Sequence, residues 1–67
     1  MTKKELGQKI KDRRKTLTIS QRELADFTGL SVVTLSQIEG GKANPSFDIL
    51  NEILHYLNLE IKLELRQ

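Results

Sequence analysis

Residues 20–41 read SQRELADFTGLSVVTLSQIEGG, and two helix starts and two helix stops are spelled out within them. Ser20 with Glu23 three residues on is a capping box, and Ile19 is the apolar residue before the cap. The helix it opens carries Leu24, Ala25 and Phe27 and ends at Thr28-Gly29, where glycine takes a left-handed stop without strain. Ser31 then caps a second helix through Glu39, closed by Gly40-Gly41. Two short helices thus meet around a tight turn.

The flanks are punctuated as clearly. Thr2 with Glu5 three residues on is another capping-box pattern, and Leu6 and Ile10 follow at helical spacing, which predicts a helix over residues 3–15. The stretch 16–19 is largely β-branched and reads as a connector. Downstream, Asn44-Pro45-Ser46 resets the chain, and Ser46 with Asp48 in the first turn opens a helix to about Leu57. Phe47, Leu50, Leu54 and Leu57 mark one face of it, while Ile49, Ile53 and Tyr56 form a second apolar edge. From Leu59 the chain alternates apolar and charged residues to Arg66, the pattern of a half-buried strand. The expected architecture is an all-α, compact four-helix domain over residues 1–58, followed by a C-terminal β-strand over 59–67.

Composition bounds the chemistry. The chain has 67 residues, no cysteine and one histidine, His55, so a disulfide, a thiolate metal site or a multi-histidine metal site is excluded and no cofactor is implied. His55 has no evident serine–acid partners, and an enzyme is not expected. No apolar run approaches the roughly 20 residues of a membrane span, and no signal-peptide core follows the basic N-terminus. A cytoplasmic, bacterial, nucleoid-associated setting is the expectation. The net charge of +2 hides an asymmetry. Residues 1–42 hold nine Lys/Arg against five Asp/Glu, and residues 43–67 hold two against four. The cations are densest at Lys9, Lys11, Arg13, Arg14 and Lys15. The first half therefore suits a polyanion.

Two short helices around a tight turn are the spacing of a helix-turn-helix unit, whose second helix enters the DNA major groove. On that second helix Leu35 and Ile38 share one side, with Thr34 near their edge; Val32, Val33, Ser36 and Gln37 fall on the other. Paired valines suit an exposed helix face poorly, but their methyls can pack on thymine methyl groups. Gln37 can bond adenine in a bidentate way, and Ser36 can pair with several base edges. Phosphate contacts are expected from Gln21, which opens the first of the two helices, and from Gly41, Lys42 and Asn44 in the loop that follows the second. Ser31 and Thr34 join that set. Glu39 sits where both the helix dipole and passing phosphates disfavour an acid. A fixed cation must neutralise it: Arg14 first, Arg13 second.

These residues resemble the Xre/Cro-type helix-turn-helix of phage repressors and bacterial regulators. The shared pattern is Ser-Gln, Leu-Ala, Gly29, a reader helix rich in Ser and Thr, Ile38-Glu39-Gly-Gly-Lys42 and Pro45-Ser46, over roughly residues 6–57. The resemblance implies a lambda-repressor-like fold and a homodimer on a palindromic operator in double-stranded DNA. It places Gln21 at the phosphate brace, Val32, Val33 and Gln37 at reader positions, and Arg14–Glu39 as a structural ion pair. The departure is at the first two reader positions, often polar in this family and both valine here. With a strand following at once, the chain is similar to HipB-type antitoxins, which implies a HipA-type kinase toxin as partner. The alternatives are a stand-alone phage-type repressor without a toxin and a protein-only interaction module.

A lone strand has no partner strand within its own chain, so the expected tail pairs with its copy across a two-fold axis, the alternative being a strand that folds back on its own fourth helix. An antiparallel register centred on Ile61 or Leu63 sets opposite charges across the strands, whereas centring on Lys62 sets like against like. The dimer interface expected on this basis holds Ile53, Tyr56, Leu59, Ile61, Leu63 and Leu65. It would space two reader helices for half-sites about 34 Å apart, or one turn of DNA further.

Overall fold

A computed structural model describes residues 1–66 of the chain. Four helices follow in order: α1 (Lys3–Thr16), α2 (Gln21–Thr28), α3 (Val32–Glu39) and α4 (Phe47–Tyr56). Each begins where a hydroxyl side chain can satisfy a free backbone donor. The Glu5 N–H donates to Thr2 Oγ1 at 3.1 Å, that of Thr34 to Ser31 Oγ at 3.0 Å and that of Ile49 to Ser46 Oγ at 3.2 Å. At α2 the bonds are reciprocal: the Glu23 N–H donates to Ser20 Oγ and the Ser20 N–H to Glu23 Oε1. The bond from the Ser20 backbone, helped by its hydroxyl, holds the Glu23 carboxyl below the ordinary glutamate range. Gly29, at φ 75°, closes α2 as expected of a left-handed stop. Helix α1 runs one residue past Lys15, to Thr16.

Ile10, Leu24, Ala25, Leu35, Ile38, Ile53, Leu54 and Leu57 form a single buried core. Helix α3 packs on α1 and α2, and α2 on α4. Gly7 brings α1 and α3 together: a Cβ there would stand 2.5 Å from the Glu39 carbonyl oxygen and would also strike that of Ile38. The two helix backbones therefore touch through a position with no side chain. Farther along α1, Arg13 Nε donates to the Leu57 carbonyl at the end of α4, 2.9 Å away. That bond satisfies a terminal carbonyl that has no helical partner.

The buried stripe of α4 differs from the expected one. Ile53 has no exposed surface and lies inside with Leu54 and Leu57, whereas Phe47 is 66% exposed. Leu50, Ile53, Leu54 and Leu57 follow the three- and four-residue steps of one helical face, and that face meets this chain's own core. The assignment of Ile53 to a dimer interface is thus corrected. Tyr56 remains partly exposed but stacks on Phe27 of α2, ring centroids 5.5 Å apart.

The tail is the larger correction. Among the described residues there is no β-strand, so the C-terminal strand, its Ile61- or Leu63-centred register and the homodimer pairing built on it do not stand. Asn58 turns the chain at φ 56°, and Leu59 packs against the core of its own chain. Beyond it Ile61 is half-exposed, and Leu63 and Leu65 are 94% and 97% exposed. Alternation specifies which residues would share a face of a strand. It does not supply the neighbouring edge that makes a strand, and the helical body offers none. Gln67, the last residue of the expected strand, lies outside the described residues.

Candidate nucleic-acid interface

Helix α3 is held from behind and open in front. Leu35 and Ile38 are buried between α1 and α2, and Thr34 is half-buried at their edge. Ser36 and Gln37 are exposed on the other side, Val33 is 68% exposed and Val32 37%. The four residues assigned to base reading therefore share one solvent-facing surface.

Behind that surface, Arg14 and Glu39 meet in a buried, two-pronged ion pair. Arg14 Nε donates to Glu39 Oε2 at 2.8 Å and Nη2 to Oε1 at 3.0 Å. Arg14 Nη1 also donates to the Ile19 carbonyl at 3.0 Å, tying α1 to the connector before α2. The bond from Glu39 raises the Arg14 pKa further against the opposing effect of burial, so the guanidinium stays charged throughout any accessible pH range. Planar guanidinium and carboxylate match in geometry as well as charge. Among the described residues no buried side-chain nitrogen or oxygen lacks a hydrogen-bond partner.

Gln21 is half-buried, and its Nε2 donates to Glu39 Oε1 at 3.3 Å. The amide assigned to a phosphate thus leans on the same carboxylate that anchors α3, with its second N–H and its carbonyl left for other partners. No pattern in the sequence announces this link. Ser31 and Thr34 bond each other, hydroxyl to hydroxyl at 2.9 Å, at the start of α3. The loop after α3 is pinned twice. The Lys42 N–H donates to the Gln37 carbonyl at 2.9 Å, and Gly41, at φ 74°, sits so close to α1 that a Cβ would lie 2.6 Å from Lys4 Cα. Gly41 is half-buried there, while Lys42 and Asn44 are exposed.

Between α1, the start of α2 and the end of α3 lies an open groove of about 420 Å³. Gln21, Ser36, Gln37 and Lys42 line it, and so do Lys4, Gln8 and Lys11 of α1. In the sequence Lys11 stands out only within a basic cluster, and Lys4 and Gln8 do not stand out at all. Their spacing of four and three along one helix was the available signal. Among the described residues no group of three His, Cys, Asp or Glu side chains is placed to hold a metal ion. No helix among them is long and apolar enough to cross a membrane.

Comparison with known proteins agrees with this geometry. Residues 10–63 match the helix-turn-helix family model. The chain is 40% identical over 60 residues to the ImmF control region 10 kDa protein of Bacillus phage phi105, covering 90% of this chain and 67% of that one. It is 39% identical over 49 residues to repressor protein C of Escherichia phage P2, covering 73% of this chain and half of the repressor. Among solved structures, the clp gene regulator ClgR of Corynebacterium glutamicum superposes with a TM-score of 0.84 at 27% identity, over 88% of this chain and 63% of that one. The small helical body, the tight turn after α2 and the family match agree on a DNA-binding module, not a catalytic fold. The chain belongs to the Xre/Cro-type helix-turn-helix family of DNA-binding transcriptional regulators.

Proposed function

We propose that this protein is a stand-alone, phage-type repressor that reads a palindromic operator in double-stranded DNA through the outward face of α3. Exposure of Val32, Val33, Ser36 and Gln37 on one side of a helix clamped from behind is the observation that carries this reading. Val32 and Val33 supply methyl contacts to thymine, Gln37 a bidentate contact to adenine and Ser36 an adaptable hydroxyl. Gln21, Ser31, Thr34, Gly41, Lys42 and Asn44 set position on the phosphates without reading sequence. The phage control-region and repressor relatives support a repressor. The antitoxin reading, with its HipA-type kinase partner, rested on a terminal strand and loses its footing with it.

An eight-residue reader helix is about 12 Å long, enough to span only a few base pairs. A homodimer on a two-fold operator doubles the sequence read, with half-sites about 34 Å apart. Footprinting on the DNA upstream of the protein's own gene tests the proposal, with Gln37→Ala and Val33→Ala beside the parent. Loss of protection in folded variants supports it. Unchanged affinity and sequence preference in both variants rejects the assignment. Operator binding should weaken steeply with added salt, because phosphate contacts release counterions, whereas no operator shift even at low salt would favour a protein-only module.

A further inference from the structure

We propose that the outer face of α1, through Lys4 and Lys11 with Gln8 between them, is a second wall of the DNA site. Together with Lys42 it grips the backbone of the duplex on the side of α3 away from the turn. This inference rests on the DNA-binding reading and adds an element to it, since the turn, the start of α2 and the reader helix do not include α1.

Three observations carry it. Lys4, Gln8 and Lys11 line one groove with Ser36 and Gln37, so a strand whose bases meet the end of α3 passes its phosphates along α1. The lysines are brought together by rigid backbone. The left-handed turn at Gly41 sets the loop against Lys4 with no room for a side chain, which places Lys42 beside the start of α1. Finally, these cations have no carboxylate of their own. Among the described residues the only ion pairs are Arg14–Glu39 and Lys62–Glu60. Glu39 is the one acid lining the groove, and its two oxygens already accept from Arg14 and Gln21. The two acids of α1, Glu5 and Asp12, do not line the groove, and Asp12 accepts the Gln8 amide N–H at 2.8 Å. Three ammonium groups around a groove without a free acid repel one another until an anion enters. A regular run of phosphates beside the reader helix is that anion.

Phosphate grips of this kind strengthen binding to every sequence alike. The test is the double variant Lys4→Ala/Lys11→Ala, titrated against an operator duplex and an unrelated duplex over a range of salt concentrations. The log–log salt slope is expected to become shallower by about 0.9 for each phosphate that is no longer neutralised, on both duplexes, with the ratio of the two affinities unchanged. Lys4→Arg/Lys11→Arg should keep the parent slope. Lys62→Ala, which removes a charge from the tail, should also keep it and so excludes a mere net-charge effect. An unchanged slope in the alanine variant overturns the proposal, as does an equal change in the Lys62→Ala control. Because the slope is read on unrelated DNA as well, failure of this wall is distinguishable from failure of the reader assignment, which shows as loss of preference in the parent itself.

Discussion

Replacing Gly7 with alanine sets two effects of opposite sign against each other. In an ordinary helix interior the change stabilises by about 1 kcal/mol, because glycine gives up more backbone freedom on folding. At Gly7 the added Cβ would stand 2.5 Å from the Glu39 carbonyl oxygen and 2.8 Å from its carbonyl carbon, and it would strike the Ile38 oxygen as well. Ordinary van der Waals separation needs roughly 1 Å more. All the atoms in the way are backbone, so no rotamer change relieves the clash; α1 must retreat from α3. Overpacking of this kind costs typically 1–3 kcal/mol. The retreat also stretches the 2.8 Å bond between Arg14 and Glu39, which bridges the same two helices. The net expectation is a loss of about 1–2 kcal/mol, or about 4–16 °C in melting temperature for a domain of this size. Thermal unfolding followed by circular dichroism measures it. Gly40→Ala is the control: its Cβ would meet the Ser36 carbonyl oxygen at 3.3 Å, which a shift of a few tenths of an ångström relieves. A Gly7→Ala protein that melts at or above the parent would refute the claim that α1 and α3 touch backbone to backbone.

Two further outcomes follow from the same packing. Glu39→Ala leaves Arg14 buried and unpaired and should cost about 3–5 kcal/mol in urea unfolding, most of what a chain this short has to lose. The double replacement Arg14→Met/Glu39→Leu should recover most of that loss, and a single-variant loss under about 1 kcal/mol would contradict the pair's structural role. Ile53→Ala should cost about 2–5 kcal/mol, while Leu63→Ser and Leu65→Ser should each stay within about 0.5 kcal/mol of the parent; comparable losses at all three positions would show that the tail is packed after all.

The helical plan was legible in the residues because its signals are local. A hydroxyl at each cap, the Ser20–Glu23 capping box and the glycine at the stop of α2 act within a turn of one another and appear where the sequence puts them, whereas of the box expected at Thr2 and Glu5 only the bond from the Glu5 N–H forms. The face of α3 was legible for a related reason: Leu35 and Ile38 share a side by helical geometry, leaving Val33 and Gln37 opposite. Relations between distant segments were less so. The need of Glu39 for a cation followed from its place in the helix, and the Arg14–Glu39 bonds meet that need, whereas the bond from Gln21 to the same carboxylate depends on how α2 crosses α3. Gly7 carries no mark of the close approach it permits, and Lys4 and Gln8 become part of a groove only when the loop at Gly41 folds against α1.

The tail exposes the limit most clearly. Its alternation is a local property, but a strand is a relation between two segments, and the pattern of one segment says nothing about whether an edge is waiting. Helix α4 failed in a smaller way, since Phe47 and Ile53 are both apolar and only the angle at which the helix lies on its neighbours selects which is buried. The residues of this chain, taken alone, therefore settled where helices begin and end and which side of each is apolar, because turn-by-turn hydrogen bonding is written within a few positions. Which apolar edge is covered, how Gln21 is oriented and which lysines share a groove were settled by the packing of the four helices, because those outcomes depend on distances across the fold.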